Sequence, residues 1–548
     1  MRPDGKAEGL RQSMAWLHTW TGLPLGWLLY AVFFTGTLSY YLDEVNAWTR
    51  PELHRSAPAP QTAERALQTM QQLAPDAESW TLALPNERQM QVQASWRPAG
   101  APAGRGGQQR AELDAATGQP IAARETRAGN FLYRFHFELY GMPRVWGRWV
   151  VAIATLLMFV AILSGVVTHK KIFTEFFTFR PRKGQRSWLD AHNATAVLAL
   201  PFHLMITFSG LLLFMYMLLP AGINAAYDGD TRAYFAERQQ AGRGAGPGAA
   251  ARVTEPVVAG VPLAPVGPML AEAQRRWPGR EVGSIAVNRP GTSAATVELR
   301  EHGGTSLVDR GASRRLVFDG VTGAVQAAPA GSEPGVASAV YNVLTAAHLG
   351  RFAGPGLRLL LFLCGVVGTV MVATGLVLWV VKRLPERRKA GRTPFGHRLV
   401  ELLNLGTIGG LSLALAACLW LNRLLPATLA GRADWEIQGF FAVWALAFLH
   451  AGLRPARRAW IEQLALATVL FALLPLLNPL TGGLGLWASV PGGAWPVAGF
   501  DLAMLLLALV HGAAWRWLVQ RGATPSLRSA RARSPVLPGA GLKEGSAS

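Results

Sequence analysis

The 548-residue sequence predicts an α-helical integral membrane protein with about eight transmembrane helices. Half of its residues are hydrophobic and only 16% are charged, a composition that does not suit a soluble multidomain protein. Eight apolar runs approach or exceed the length that spans a bilayer. They cover residues 16–41, 146–168, 188–219, 357–381, 399–421, 437–453, 461–477 and 495–518.

The basic residues lie between the apolar runs, so the net charge of +20 does not indicate a nucleic-acid partner. They fill the gaps after the second, fourth and sixth runs and follow the eighth. By the positive-inside rule these segments are cytoplasmic. We therefore expect a multi-pass protein in a lipid membrane with both termini in the cytoplasm. Because the only cysteines, Cys364 and Cys418, lie inside predicted spans, the chain can form neither a disulfide framework nor a CxxCH haem attachment.

Two long polar segments on the external side are large enough to fold as small α/β domains. The first should contain a helix at Thr62–Leu73, strands at 79–84, 90–96 and 111–113, and a DAATG turn at 114–118. The second should contain a helix at Val266–Arg276, strands at Val282–Asn288, 295–300 and 315–318, and a DGVTG turn at 319–323. The two segments thus show the same order of elements.

The spans repeat as well, because His18 precedes Gly36 by the same interval that separates His192 from Gly210. Each external segment is followed by an aromatic-rich stretch with another histidine, His136 or His348, and then by the next span. The first four spans should therefore form a pseudo-twofold bundle. The predicted divisions are 10–43 (first span), 44–143 (first external domain), 144–219 (second and third spans with a basic cytoplasmic loop), 220–354 (second external domain), 355–383 (fourth span), 384–520 (an extension of four spans) and 521–548 (a disordered cytoplasmic tail).

Six histidines lie at or within the first four spans, and two axial imidazoles are what a b-type haem requires. Symmetry pairs His18 with His192 for an inner haem and His136 with His348 for an outer one. The remaining two, His169 and His203, have no histidine at the equivalent position of the repeat. They could replace or supplement these ligands, for example His169 with His192, and His203 with an outer histidine.

The third run is predicted to be one long helix over residues 187–219. Eleven residues turn through about three turns, so His192 and His203 would share one face with Cα atoms about 16 Å apart. Small residues on the spans, among them Gly36, Gly165 and Gly375, make room either for close helix contacts or for a flat macrocycle. The external arginines near residues 134–148 and 351–358 are candidates for holding haem propionates or an anionic ligand.

Three stretches resemble a known family: WLHTWTGLPLGW in the first span, GVVTHKKIFTEFFTFRP after the second, and WLDAHNATAVLALPFHLMITFSG in the third. Together with the tandem helix–strand–DxxTG segments, which resemble PepSY domains, they are similar to the PepSY-associated transmembrane family over about residues 10–390. The resemblance implies a bacterial inner-membrane protein with two periplasmic PepSY-like domains. It points to His18, His136, His192 and His348 as the most general haem ligands, with His169 and His203 more particular to sequences like this one.

Members of this family include di-haem reductases that release iron from siderophores. The resemblance therefore implies a haem-dependent ferric reductase with about two b-type haems, passing electrons to a ferric siderophore or another periplasmic ferric chelate, which releases iron as Fe(II). Since no GxGxxG or GxxxxGK element is present, the electrons should come from a cytoplasmic reductant or the quinol pool. The alternative is a membrane-anchored PepSY module that binds a peptide or restrains a protease without redox activity.

Overall fold

The computed structural model describes residues 9–102, 107–169, 178–230, 232–233, 257–303, 307–308, 314–326 and 336–522. The predicted tail at 521–548 lies outside these residues except for its first two positions. Lys170 and Lys171 of the basic loop also lie outside them.

Helices dominate the described residues. In chain order they are α1 (Leu10–Ser39), α2 (Leu42–Trp48), a short 3-10 helix (Pro51–Leu53), α3 (Thr62–Leu73), α4 (Ala128–Glu138), α5 (Arg144–Thr168), α6 (Gln185–Leu198), α7 (Leu200–Leu213), α8 (Met215–Leu218), α9 (Ala221–Tyr227), α10 (Val266–Arg276), α11 (Val336–Leu349), α12 (Pro355–Lys382), α13 (Leu384–Lys389), α14 (Phe395–Leu424), α15 (Arg432–Leu453), α16 (Ala456–Leu480), α17 (Leu486–Ser489) and α18 (Trp495–Gly522). Seven of these helices are long and apolar enough to cross a membrane, and the number is eight when the bent pair α6–α7 is counted as one span. The prediction of a multi-pass membrane protein with about eight spans is confirmed.

The third span is bent, with 67° between the axes of α6 and α7. Pro201 is the second residue of α7, and proline lacks the N–H and clashes with the carbonyl one turn earlier. The chain therefore leaves the helix at Ala199 and restarts at Leu200. The prediction of one continuous helix that carries His192 and His203 on a single face is wrong.

Outside the spans, eight strands form one antiparallel sheet in the order β4-β3-β2-β1-β5-β6-β7-β8. The strands are β1 (Ala77–Ala83), β2 (Val92–Pro98), β3 (Gln109–Leu113), β4 (Pro120–Ile121), β5 (Val282–Asn288), β6 (Thr296–Glu301), β7 (Arg315–Asp319) and β8 (Val325–Gln326). The predicted strands therefore form, together with two short edge strands, β4 and β8.

The two predicted α/β units are fused, because β1 of the first pairs with β5 of the second. Trp80 lies opposite Val287 and Leu82 opposite Ile285, and all four side chains are buried. Alternation along each strand directs these side chains to one face, where they form a single core with Met70 of α3 and Met269 of α10. The two external domains of the sequence prediction are thus joined by a shared sheet and a shared core.

The two DxxTG turns have the same geometry. Asp114 Oδ1 accepts hydrogen bonds from the backbone and hydroxyl of Thr117, and Asp319 Oδ1 does the same with Thr322. The backbone N–H of Thr322 holds the pKa of Asp319 below its usual value. Both turns end in a glycine with positive φ, +76° at Gly118 and +73° at Gly323, which explains the glycine.

The last four spans attach to the first half through buried polar groups. Arg432 and Glu436 form an ion pair with fully buried side chains. Glu436 also accepts hydrogen bonds from Thr126 Oγ1 at 2.6 Å, just before α4, and from Asn422 Nδ2 at 2.8 Å. Nearer the middle of the bundle, Trp27 Nε1 donates to Asn404 Oδ1 at 2.8 Å. Side chains on α14 and α15 therefore contribute to the same packed body as α1 and α4.

We expect Arg432→Leu to destabilise the protein by about 3–5 kcal/mol, because it leaves the Glu436 carboxylate buried without its cation. The control is Arg458→Leu, at an exposed position of α16, with an expected effect within about 0.5 kcal/mol. Reversible unfolding in mixed micelles measures both. Equal stability of the two variants would contradict a structural role for the buried pair.

We also expect both DxxTG turns to lie on the periplasmic side. Alkaline-phosphatase fusions after Gly118 and Gly323 should be active, and fusions after Lys183 or Arg388 inactive, because the basic segments remain in the cytoplasm. The opposite pattern would overturn the orientation that the charges predict.

Candidate functional site

The bundle brings four of the six candidate histidines together as two facing pairs. His18 of α1 faces His192 of α6, with ring centroids 6.1 Å apart. His136 of α4 faces His348 of α11, with ring centroids 6.3 Å apart. We call these the inner pair and the outer pair. They are the two combinations that the sequence repeat predicts.

Backbone carbonyls fix the imidazoles of the inner pair. His18 Nδ1 lies 2.8 Å from the carbonyl oxygen of Ala161, and His192 Nδ1 lies 2.9 Å from that of Met371. Because a carbonyl only accepts, Nδ1 carries the proton in both rings and Nε2 has the free lone pair. Ala161 and Met371 are equivalent in the repeat, so the two anchors are related by the same symmetry as the rings.

The outer pair is held in the same way. His136 Nδ1 donates to the carbonyl of Val32 at 2.7 Å. His348 Nδ1 lies 2.9 Å from Ser209 Oγ, whose own proton is directed to the carbonyl of Met205. The hydroxyl therefore accepts from His348, and Nε2 is again the nitrogen with a free lone pair.

A glycine lies against each of the four rings. An added Cβ would lie 3.2 Å from His18 at Gly165, 3.0 Å from His192 at Gly375, 2.5 Å from His136 at Gly36 and 3.3 Å from His348 at Gly210. The interval between histidine and glycine on α1 and on the third span now has a physical reason. Each of these spans supplies a histidine to the inner pair and a glycine to the outer pair.

The inner pair lines a cavity of about 410 Å³. Its wall is mostly apolar and includes Gly22 and Gly26 of α1, and its lining also contains Lys382 and Arg383 at the end of α12. Pockets of this size accommodate small molecules and cofactors. The inner pair therefore has space beside it for a bulky apolar group.

His203 lines the same cavity and is separate from both pairs. Its side chain is 1% exposed, and its buried Nε2 has no hydrogen-bond partner in the described part of the chain. The ring packs edge-on against Phe33, with centroids 6.3 Å apart, and close to Gly368. Gly368 is seven residues, or about 10 Å, from Gly375, which packs on His192. His203 thus lies outward from the inner pair, toward the middle of the bundle.

His169 ends α5 and also lines the inner cavity. The ring that faces His192 is that of His18, so the pairing of His169 with His192, left open by the sequence, is not the arrangement in the structure. All four histidines of this end, His18, His169, His192 and His203, nevertheless border one cavity.

Four of the external arginines contact acceptor groups of the protein itself. Arg148 forms an ion pair with the buried Glu138, and Arg134 and Arg144 lie within 4.0 Å of the same carboxylate. Arg358 is buried and donates to the carbonyl of Ala353 at 2.9 Å. These contacts involve four of the external arginines, and the fifth, Arg351, is exposed.

Among the described residues, no group of three or more His, Cys, Asp and Glu side chains is arranged to hold a metal ion. The two pairs supply two nitrogens each, too few for a structural zinc site. Facing imidazoles suit a metal whose other ligands come from a macrocycle. The donor set therefore fits haem iron better than a bare cation.

Four groups that anchor the rings lay beyond the sequence analysis: the carbonyls of Ala161, Met371 and Val32 and the hydroxyl of Ser209. A carbonyl has no signature in the side-chain sequence. The repeat could have pointed to these carbonyls, because Ala161 and Met371 each stand four residues before a glycine of the repeat.

Comparison with known proteins identifies the family of the chain. A search of curated proteins found no match to the chain. The family model for the PepSY-associated TM region matches residues 15–382, which include both histidine pairs and the sheet and exclude α14–α18. The chain belongs to the PepSY-associated transmembrane family.

Proposed function

We propose that the chain binds about two b-type haems, one between His18 and His192 and the other between His136 and His348. Together they would carry electrons across the inner membrane. The proposed acceptor is a periplasmic ferric chelate such as a ferric siderophore, from which iron leaves as Fe(II). Membership of the family supports this proposal, and the geometry of the two pairs carries it.

The observation that carries the proposal is that two pairs of imidazoles face each other in the same arrangement, and each pair would hold one haem iron. The observed separations are 6.1 and 6.3 Å. Each ring is anchored through Nδ1 on an oxygen atom, which leaves the Nε2 lone pair of all four rings available to a metal.

Bound haem supplies reversible one-electron oxidation and reduction of its iron. The chain's own residues fix the ligands and their surroundings. The carbonyls of Ala161, Met371 and Val32 hold the ring tautomers, since a ligand whose second nitrogen donates to a carbonyl is oriented and made more basic. The four glycines allow the rings to approach the helices, and the apolar wall of the inner cavity keeps the local dielectric low.

The alternative is an anchored binding module, and the fused sheet supports some binding role for the external domain. A sheet of eight strands offers a larger platform than either PepSY-like unit alone. That alternative leaves the two symmetric histidine pairs without a purpose. Within our proposal the same sheet provides a place for the acceptor outside the membrane.

Haem content tests the proposal. Full-length protein purified from haem-replete cells should give about two haems per chain by pyridine haemochromogen, and the haem should be released by acid-acetone because no thioether can form. Dithionite should sharpen the α-band of a six-coordinate b-type spectrum. Less than about one haem per chain would overturn the proposal and favour the binding module.

A further inference from the structure

One end of the bundle carries an excess of positive charge around the inner cavity. Lys382 and Arg383 line that cavity, and α12 continues from them into the basic helix α13. The segment that leads into α6 reaches the same end, since α6 packs along α12 and His192 lies on Gly375. The end nearest the inner pair is therefore built from two basic segments.

Several of these cations are already neutralised. Asp190 pairs with Arg180 at 3.0 Å and Arg186 at 3.5 Å, and Glu401 pairs with Arg387 at 2.6 Å. Six others are exposed and form no ion pair within the described residues. We call these six the basic rim: Arg182, Lys183, Lys382, Arg388, Lys389 and Arg392.

The opposite end of the bundle is different. There the buried Glu138 lies within 4.0 Å of Arg134, Arg144 and Arg148, so the arginines near the outer pair share a counter-charge. One carboxylate therefore offsets part of the charge of these three arginines, whereas none of the six rim cations has an acidic partner in the described part of the chain. Two exposed aromatic rings, Phe179 at 56% and Phe395 at 82%, stand beside the rim in sequence and add apolar contact area.

We propose that the basic rim docks an acidic, soluble one-electron carrier protein of the iron–sulfur or flavin class, an inference that rests on the proposed function. Complementary charge steers such partners and sets their orientation, while aromatic residues supply contact energy. Docking at the rim places the carrier beside the cavity of the inner pair. The carrier loses one electron and the inner site gains one, with no bond made or broken.

Topology alone would place some lysines and arginines at this end, and anionic lipid headgroups are attracted to any such cluster. The rim differs from an ordinary flank because it includes Lys382, which lines the cavity of the inner pair together with the neighbouring Arg383. Exposed cations at the ends of the last spans, such as Arg458, Arg516 and Arg521, do not line that cavity. Substituting these three arginines therefore removes an equal number of positive charges away from the cavity and serves as the control.

The test measures binding of an oxidised plant-type ferredoxin, an acidic probe, to full-length protein in nanodiscs of uncharged lipid. We expect the affinity to fall steeply with salt. The triple variant K382E/R388E/K389E should bind at least about tenfold more weakly at low ionic strength, and the control R458E/R516E/R521E should stay within about twofold of the unmodified protein. In stopped-flow mixing with reduced ferredoxin, the electron-transfer rates of the unmodified protein and the two triple variants should follow the same order as their affinities.

Equal losses in the two triple variants would overturn the proposal, because charge alone and not the rim would then govern binding. The proposal would also be overturned if ferredoxin failed to bind and the interaction with anionic nanodiscs depended instead on the rim charges. The same holds if ferredoxin failed to bind and a water-soluble quinol reduced the unmodified protein and both triple variants at one rate. Binding of the oxidised probe does not need haem. A haem-free protein that docks ferredoxin would sink the proposed function alone, and a two-haem protein that does not dock would sink this inference alone.

Discussion

His192→Ala should lower the haem content from about two to about one per chain and stop reduction of the remaining outer haem by a membrane-impermeant donor on the cytoplasmic side. The inner iron loses one of its two imidazoles, whereas the outer pair keeps both. The outer haem should remain reducible by dithionite. Haemochromogen titration and optical spectra of inside-out vesicles report both effects.

His348→Ala should give the complementary phenotype. The inner haem should still be reduced from the cytoplasmic side, and delivery of electrons to a ferric chelate in the vesicle lumen should cease. The control is His169→Ala, which lines the inner cavity without facing His192 and should keep both haems. If the His192/His169 double variant produced iron(II) at the unmodified rate, electrons would take another route and the histidine pairs would not be the path.

Gly36→Ala should remove the outer haem without changing any ligand. A Cβ at this position would lie 2.5 Å from His136 Cε1, a distance that requires the ring to move. The ring is fixed by its hydrogen bond to Val32, so overpacking should cost about 1–3 kcal/mol or break the pairing with His348. Haem content and the Soret band measure the result.

The glycine series should be graded. Gly375→Ala, with 3.0 Å to His192, should perturb the inner haem less than Gly36→Ala perturbs the outer one, and Gly210→Ala, with 3.3 Å to His348, should have the smallest effect of the three. Gly499→Ala on α18 is the control, because nothing lies within 4 Å of its added Cβ and it does not line the inner cavity. A loss of haem in Gly499→Ala equal to that in Gly36→Ala would show that the contact with the histidine is not the cause.

Local patterns in the sequence predicted most elements of the fold. The helices Thr62–Leu73 and Val266–Arg276 and the strand Val282–Asn288 have the predicted bounds, since amphipathic periods and turn residues are local. The repeat predicted which histidines face each other, because equivalent positions meet across a pseudo-twofold axis. Pro201 was visible in the sequence, but the 67° bend depends on how α7 packs after the break.

Long-range contacts were beyond the sequence. The pairing of β1 with β5 joins strands that are separated by two spans in the sequence. Each of these strands, considered alone, could equally be an edge strand of its own sheet. The buried ion pair of Arg432 and Glu436 was equally hidden, because charged residues near the end of a span suggest exposure. Of the partners of Glu436, Asn422 lies 14 residues away in the chain, but Thr126 lies 310 residues away.

The fused sheet imposes an order on biogenesis. When the first external segment emerges, β1 can pair with β2, but its other edge has no partner until β5 has been translocated after the third span. An open edge strand is a template for wrong pairing and a target for proteases. Insertion of the third span, with its bend at Ala199, therefore becomes a quality-control step for a domain outside the membrane. A mutation that delays insertion of the third span should therefore first cause degradation of the segment that contains β1 and β2.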